Sequence, residues 1–355
     1  MSIDLAVIPG DGIGPEVTAV ALRILAQATE LCDIELKATE YPFGSEHFLS
    51  TGSVLEPDDI EQLRKHDAIL FGACGDPRVA PGVLERGLIL ALRLAFDQYV
   101  NVRPVRLLPG VETPFANLAP ERVDLVILRE NTEGLYTGGG GITHGGEVEE
   151  IATQISVSSR RGTERLIREG FATARRRRGK VALVHKTNIL TFAGSLWERT
   201  FNEVASEFPD IEIDYVHVDA MMLHLVMTPE RFDVVVTDNL FGDIISDLGA
   251  VLQGGLGYAP SACIAADPNN PSSYEPVHGS APDLAGKGLA NPVAAVLSAA
   301  MMLETQGHDL PAQLVRDAVD LATAQSSGHR RSTEEMSAAI SSAMTSSIRN
   351  PRSKV

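Results

Sequence analysis

Short apolar runs and longer stretches with helical spacing alternate along most of the chain. DLAVIP, DAILFGA, VDLVILRE, KVALVHK, IEIDYVHV and DVVVTDN are brief and β-rich, and several are continuous enough to be covered on both faces, as strands of a parallel sheet are. Between them, PEVTAVALRILAQATELC, ERLIREGFATARRR and GSLWERTFNEVASEF place apolar residues three and four apart, the mark of an amphipathic helix. This alternation predicts an α/β fold. No repeat of fixed period interrupts it. Two biased segments stand out: Gly138 to Gly146, within TGGGGITHGGE, predicts an arm or loop tip, and the Ser-rich end from Ser326 predicts a helix with a frayed tail.

Composition narrows the class. A chain of 355 residues that is 44% hydrophobic can bury a large core and by length reads as about two domains. No segment reaches the roughly 18 unbroken apolar residues of a membrane helix, and MSIDLAVIPGDG lacks the basic and apolar regions of a signal peptide, so a cytoplasmic location is expected. Cys32, Cys74 and Cys263 lie far apart in no metal-binding spacing and predict reduced thiols. A formal charge of −17 argues against nucleic acid and anionic membranes as partners, since both reward basic surface. Arg175 to Arg178 is the contrary feature, read as a solvated cationic helix end favoured by the helix dipole.

Several motif tests fail informatively. IPGDGIGPEV follows a strand and opens a helix, but Pro15 occupies the last glycine position of a dinucleotide fingerprint. HGSAPDLAGKG has the wrong spacing for a phosphate loop, and Gly288 stands where that loop needs a hydroxyl. The zinc-protease, thiol-redox and nucleophile-elbow signatures are missing.

What remains is a set of carboxylates and cations at element ends. In TDNLFGDIISDLGA, Asp243 and Asp247 are four apart on a predicted helix, a like-charge pair that costs about 0.2–0.5 kcal/mol. Asp219 follows the strand ending YVHV, where α/β folds place their chemistry. Three carboxylates without cysteine fit a hard cation, Mg²⁺ or Mn²⁺; the bland alternative is that they cap helices or face water. Arg93, Arg103 and Arg129 lie near the ends of apolar elements, and three guanidinium forks could hold a di- or tricarboxylic acid or make ordinary ion pairs. Tyr136 stands beside the glycine-rich arm, and Lys186 ends a strand, where a desolvated lysine can serve as a base or be structural.

The blocks IPGDGIGPEV, NVRPVRL, LRENTEGLYTG, VHKTNIL, VDAMMLHLV, DNLFGDIISDLGA and EPVHGSAPDLAGKGLANPVAAVLSAAMML span nearly the whole chain. In order and wording they resemble the metal-dependent β-decarboxylating dehydrogenases, the isocitrate/isopropylmalate dehydrogenase family. The resemblance implies a two-domain α/β fold around a cleft with a non-Rossmann cofactor site. The first domain, discontinuous, would comprise 1–101 plus 256–355; the second, 102–255, would carry a dimer-forming arm at about 137–158. It further implies that Asp243 and Asp247 hold Mg²⁺ or Mn²⁺, with Asp219 reaching the same metal from a partner subunit. Arg93, Arg103 and Arg129 would bind substrate carboxylates. Lys186, also from the partner, would help remove the hydroxyl proton, and Tyr136 would help protonate the enolate at C3. A homodimer with shared active sites is then the minimal unit.

In the same resemblance the cofactor loop is HGSAPDLAGKGLAN, with His278, Gly279, Ser280, Ala281, Asp283, Leu284 and Asn291 at cofactor-binding positions and Glu85 near the nicotinamide ribose. Asp283 would accept hydrogen bonds from ribose hydroxyls and repel a 2′-phosphate, favouring NAD over NADP. Leu88, Ile89 and Leu90, with Ile189 from the partner, would form an apolar wall suited to an isopropyl group. The implied reaction is NAD-dependent oxidative decarboxylation of 3-isopropylmalate in leucine biosynthesis. Two features keep another 3-substituted malate (isocitrate, homoisocitrate, tartrate or D-malate) open: RENTEGLY is worded as in those branches, and Glu85 and Arg93 are eight apart, one more than in many isopropylmalate enzymes. A non-catalytic regulatory subunit is the other alternative, which the presence of Lys186, Tyr136 and all three aspartates disfavours.

Overall fold

The structure is a computed structural model and describes residues 2–116, 118–326 and 331–349. Its strands are β1 (Ser2–Gly10), β2 (Glu35–Glu40), β3 (Ala68–Ala73), β4 (Val100–Arg106), β5 (Asp124–Glu130), β6 (Gly140–Thr143), β7 (Ile151–Gln154), β8 (Lys180–His185), β9 (Glu212–His217), β10 (Val234–Thr237), β11 (Pro260–Ile264) and β12 (Ser272–Pro276), with helices between most of them. Every strand and helix predicted from the apolar pattern is present, and the fold is α/β. The chain divides into two compact units: Met1–Gln98 with Arg106–Pro120 and Ala250–Val355, and Tyr99–Val105 with Glu121–Gly249. Residues 106–120 thus group with the first unit.

In the first unit the strands run in the order β2-β1-β3-β12-β11. β1 pairs in parallel with β2 and β3, and β12 in parallel with β3, whereas β11 and β12 are antiparallel. All six residues of β3 are buried, as its unbroken apolar run requires. β2 escaped the apolar pattern because ELKATE is an edge strand with most of its side chains in water. The helix Gly14–Glu30 starts on Pro15, whose missing N–H costs nothing in a first turn, and buries Val17, Val20, Ala21, Ile24, Leu25 and Ala28 along one stripe. It packs on β3 and on the helix Val293–Thr305.

The segment ERGLIL, Glu85–Leu90, is a π-helical turn that runs directly into the helix Ala91–Ala95. A π turn takes up an extra residue without breaking the helix, and shifts the side chains that follow it. Leu88 consequently joins the core of the first unit with Ile8, Phe43, Leu84 and Phe96, while Ile89 and Leu90 remain half-buried.

In the second unit β4, β5, β10, β8 and β9 lie in that order, and β5, β10, β8 and β9 are mutually parallel. The helix Arg160–Arg175 is capped by Ser159, whose Oγ accepts the Gly162 N–H at 2.9 Å. Its cationic end does more than face water: Arg177 Nε donates to the buried Asp233 at 2.7 Å, and Arg175 pairs with Asp210. β6 and β7 form an antiparallel hairpin in which every residue is exposed.

Gly170 lies on the buried face of Arg160–Arg175, and a Cβ there would sit 2.4 Å from Val236 Cγ1. Gly170→Ala is therefore expected to destabilise by about 1–3 kcal/mol through overpacking, despite the better helix propensity of alanine. Thermal unfolding checks it, and Val236→Ala in the same chain should recover much of the loss.

Candidate active site

The second unit gathers charge around one carboxylate. The helix Asn239–Leu252 follows β10 and begins at Asp238, whose Oδ1 accepts the Phe241 N–H at 2.7 Å. One turn along this helix, Asp243 Oδ1 accepts from Arg103 Nη1 at 3.1 Å and from Arg129 Nη1, while Oδ2 accepts the Tyr136 hydroxyl at 2.7 Å. Arg103 and Arg129 are nearly fully buried, so each guanidinium needs its remaining N–H groups met. Asn101 and Ser246 accept from Arg103, and Asn239 Oδ1 accepts from Arg129 Nε and Nη2 at 3.0 and 2.7 Å. The Arg129 guanidinium also lies 5.1 Å from the centre of the Tyr136 ring.

The predicted like-charge pair is thus relieved at Asp243 by two arginines. Asp247 is exposed, and its carboxyl is held above the usual range by partial loss of solvent and then by Asp243. Two hard oxygen donors on one helix face, one of them without a neutralising cation of its own, fit Mg²⁺ or Mn²⁺. Asp219 does not join them within the chain: among the described residues no group of three or more His, Cys, Asp or Glu comes together. Asp219 instead pairs with Lys186, Oδ1 to Nζ at 2.5 Å, and this ion pair holds the Asp219 carboxyl below the usual range. Ile189, three residues beyond Lys186, is well exposed.

The first unit carries the remaining predicted residues. Arg93 is buried and its Nη2 lies 3.3 Å from Glu275 Oε1. Leu88 is a core residue rather than part of an exposed wall, because the π turn directs it inward; Ile89 and Leu90 keep partial exposure. Glu85 is exposed and accepts the Gly82 N–H at 3.0 Å.

The loop predicted to hold a cofactor borders a cavity of about 680 Å³ lined by Ile13, Tyr258, His278, Ala281, Leu284 and Asn291, among others. His278 Nδ1 donates to the Gly279 carbonyl at 2.9 Å, which leaves Nε2 a buried acceptor without a partner. Burial lowers its pKa. The glycines of GDGIG serve this loop: Ile13 N donates to Ser280 O at 2.7 Å, and a Cβ on Gly12 would fall 1.9 Å from that oxygen. This is why Pro15 is tolerated in what resembles a dinucleotide fingerprint. Asp283 is exposed, and Gly279, Ser280 and Asp283 do not line the cavity wall. An orphaned acceptor on the wall of this cavity fits the donor edge of an adenine or the hydroxyls of its ribose.

Sequence reasoning missed Asn101, Asn239, Ser246 and Glu275. Asn101 is two residues from Arg103 on one strand face, and Asn239 and Ser246 are four before and three after Asp243, so spacing could have marked those three. Glu275, 182 residues from Arg93, left no such signal.

The chain belongs to the isocitrate/isopropylmalate dehydrogenase family, whose model matches residues 4–350. It is 53% identical over 352 residues to the 3-isopropylmalate dehydrogenase of Clavibacter sepedonicus, covering 97% of this chain and 98% of that protein. It is 53% identical over 339 residues to the 3-isopropylmalate dehydrogenase of Thermobifida fusca, covering 94% and 96%. Among solved structures it resembles isocitrate dehydrogenase from Methylococcus capsulatus, with a TM-score of 0.86, 37% identity, and coverage of 96% of this chain and 98% of that one. No helix among the described residues is long and apolar enough to cross a membrane.

Next to the site, burial pushes His185 down to about 4 from 6.5 and pushes Asp238 up to about 6 from 3.8; His185 Nε2 and Asp238 Oδ2 are 3.6 Å apart. Between pH 6.5 and 4 the unfolded chain binds a proton on His185 that the folded chain refuses, so this group's contribution to stability falls as pH falls. Asp238 works in the opposite sense between pH 6 and 3.8, and the two largely cancel. Asp238→Asn keeps a helix-capping side chain but removes the compensation. Its thermal midpoint should therefore drop more steeply than wild type between pH 6.5 and 4, by up to ~3 kcal/mol in stability. Parallel pH profiles for the two proteins would contradict this assignment.

Proposed function

We propose that the protein catalyses the NAD-dependent oxidative decarboxylation of 3-isopropylmalate to 4-methyl-2-oxopentanoate, the step of leucine biosynthesis. The observation that carries the reading is the cluster on Asp243: two buried guanidinium groups sharing one carboxylate, with Tyr136 and Asp247 alongside. Identity of about half over nearly the full chain with proteins named for this substrate supports it.

Asp243 and Asp247 would hold a divalent ion, with Asp219 of a second copy completing the set, and the bound ion would supply Lewis-acid chemistry at the substrate hydroxyl and ketone. Arg103 and Arg129 are already paired with a carboxylate in the free protein, and exchange it for a substrate carboxylate at little desolvation cost. Arg93, paired with Glu275, is a third guanidinium for a substrate carboxylate. Lys186 would act as the base that accepts the hydroxyl proton during oxidation at C2. The partner for this lysine in the free chain is Asp219, so the two move into service together. Loss of CO₂ from the β-keto acid leaves an enolate, and Tyr136 delivers the proton to C3. NAD would supply the hydride acceptor; His278, Ala281, Leu284 and Asn291 would hold its adenosine, and the exposed carboxylate of Asp283, next to Leu284, would disfavour a 2′-phosphate.

Ile89 and Leu90, rather than Leu88, supply the apolar wall for the isopropyl group, joined by Ile189 of a second copy. Burying a third carboxylate there unpaired would be costly, which disfavours isocitrate. The exposed apolar side chains Ile142, Ile151 and Ile155 on and beside the β6–β7 hairpin fit an arm that pairs with its copy in a homodimer.

NADH appearance with NAD and Mn²⁺ tests the substrate: 3-isopropylmalate should exceed isocitrate, homoisocitrate, tartrate and D-malate by at least tenfold in kcat/KM, and better turnover of any other acid would overturn the wall. Shared sites have their own check. Lys186→Met and Asp247→Asn chains should each be inactive alone, yet refolded together recover about a quarter of wild-type activity, since half the dimers are mixed and each mixed dimer has one intact site. No recovery on mixing would place Lys186 and Asp247 in the same chain's site.

A further inference from the structure

One side chain on the wall of the cofactor cavity is cationic. Arg331 lines this cavity together with His278, Leu284 and Leu289, although it comes from the segment that opens the last helix, Thr333–Arg349. It is the only lysine or arginine among the described residues of the lining, where Glu112 is the only carboxylate. Its position is built. Thr333, two residues on and buried, donates its N–H to Gly288 O at 2.9 Å and its hydroxyl to Ala290 O at 2.6 Å, stitching the start of the helix to the cofactor loop. Arg331 Nη1 donates to Ala322 O at 3.3 Å, near the carboxyl end of the helix Asp309–Ala324, where a cation is favoured. The same wall carries the unpartnered Nε2 of His278, a side chain that is 9% exposed.

From this arrangement we infer that Arg331 is a further cofactor-binding residue, its planar guanidinium covering the adenine face and supplying the positive charge that an anionic dinucleotide meets in this wall. The inference rests on the proposed use of the cavity for NAD. Its physical motive is charge: the chain carries a formal −17, a field that repels a diphosphate, and a local cation offsets that repulsion where the ligand enters. Arginine suits the place better than lysine because its flat, weakly hydrated head stacks on an aromatic ring as well as carrying charge.

The test is binding of NADH and of AMP to the purified full chain, without substrate, across a range of salt concentrations, for wild type, Arg331→Gln and Arg331→Lys. Arg331→Gln should weaken both ligands roughly 5- to 20-fold at low salt and flatten the salt dependence, with Arg331→Lys between it and wild type. The KM for the malate substrate and the thermal midpoint should stay at wild-type values. Unchanged affinity for both ligands in Arg331→Gln would overturn the inference while leaving the dehydrogenase reading intact. So would a loss of affinity accompanied by a lower melting temperature and a higher substrate KM, which marks a structural brace. Wild-type protein that turns over a malate substrate with NAD yet binds AMP nowhere would also overturn it; wild-type protein that neither binds NADH nor turns over would remove the NAD reading with it.

Discussion

Two guanidinium groups buried side by side in the second unit impose the central constraint. Arg103 and Arg129 cannot lose their protons, and an unpaired buried charge costs several kcal/mol, so a carboxylate has to stand between them. Asp243 does so. The surrounding side chains follow from the same demand: Asn101, Ser246 and Asn239 meet the N–H groups that one carboxylate cannot reach, and Tyr136 closes the second oxygen of Asp243. Strand β4 supplies one arginine, β5 the other, and the helix after β10 the acid, so the cluster also ties three elements of the unit together.

In that arrangement both cations are held in place by hydrogen bonds and share one carboxylate. Rigid forks lose little conformational freedom on binding, and the exchange of one carboxylate for another leaves the charge balance unchanged. Asp247, one turn on, is exposed, and partial loss of solvent with Asp243 nearby holds its carboxyl above the usual range. The first unit holds a cavity of mixed lining, with His278 and Arg331 on its wall and, among the described residues, no partner for His278 Nε2.

Much of this was legible along the chain. The strands and helices with strong periodicity were found at their places, and the glycine-rich arm is an exposed hairpin. Less visible were β2, a polar edge strand, and β11 and β12, whose sequences PSACI and SSYEP carry little apolar signal. Leu88, Ile89 and Leu90 read as neighbouring wall residues. In the structure Leu88 lies within a π turn and in the core with Phe43, Leu84 and Phe96. The RRRR run, read as solvated, contributes Arg177 to the buried Asp233, a partner 56 residues away.

The sequence by itself determined the alternation of elements, the acidic character of the chain, the helix that carries Asp243 and Asp247, and the family to which its motifs point. These are properties of neighbours: periodicity, charge and short spacings are written within a few residues of one another. The tertiary structure alone decided that Asp243 is taken by Arg103 and Arg129, across 140 and 114 residues of chain, that Arg93 meets Glu275, and that Arg331 reaches the wall of a cavity formed by a loop some forty residues earlier. Such pairings depend on strand order and helix placement, which the summed packing of the whole unit selects and no local stretch of chain contains.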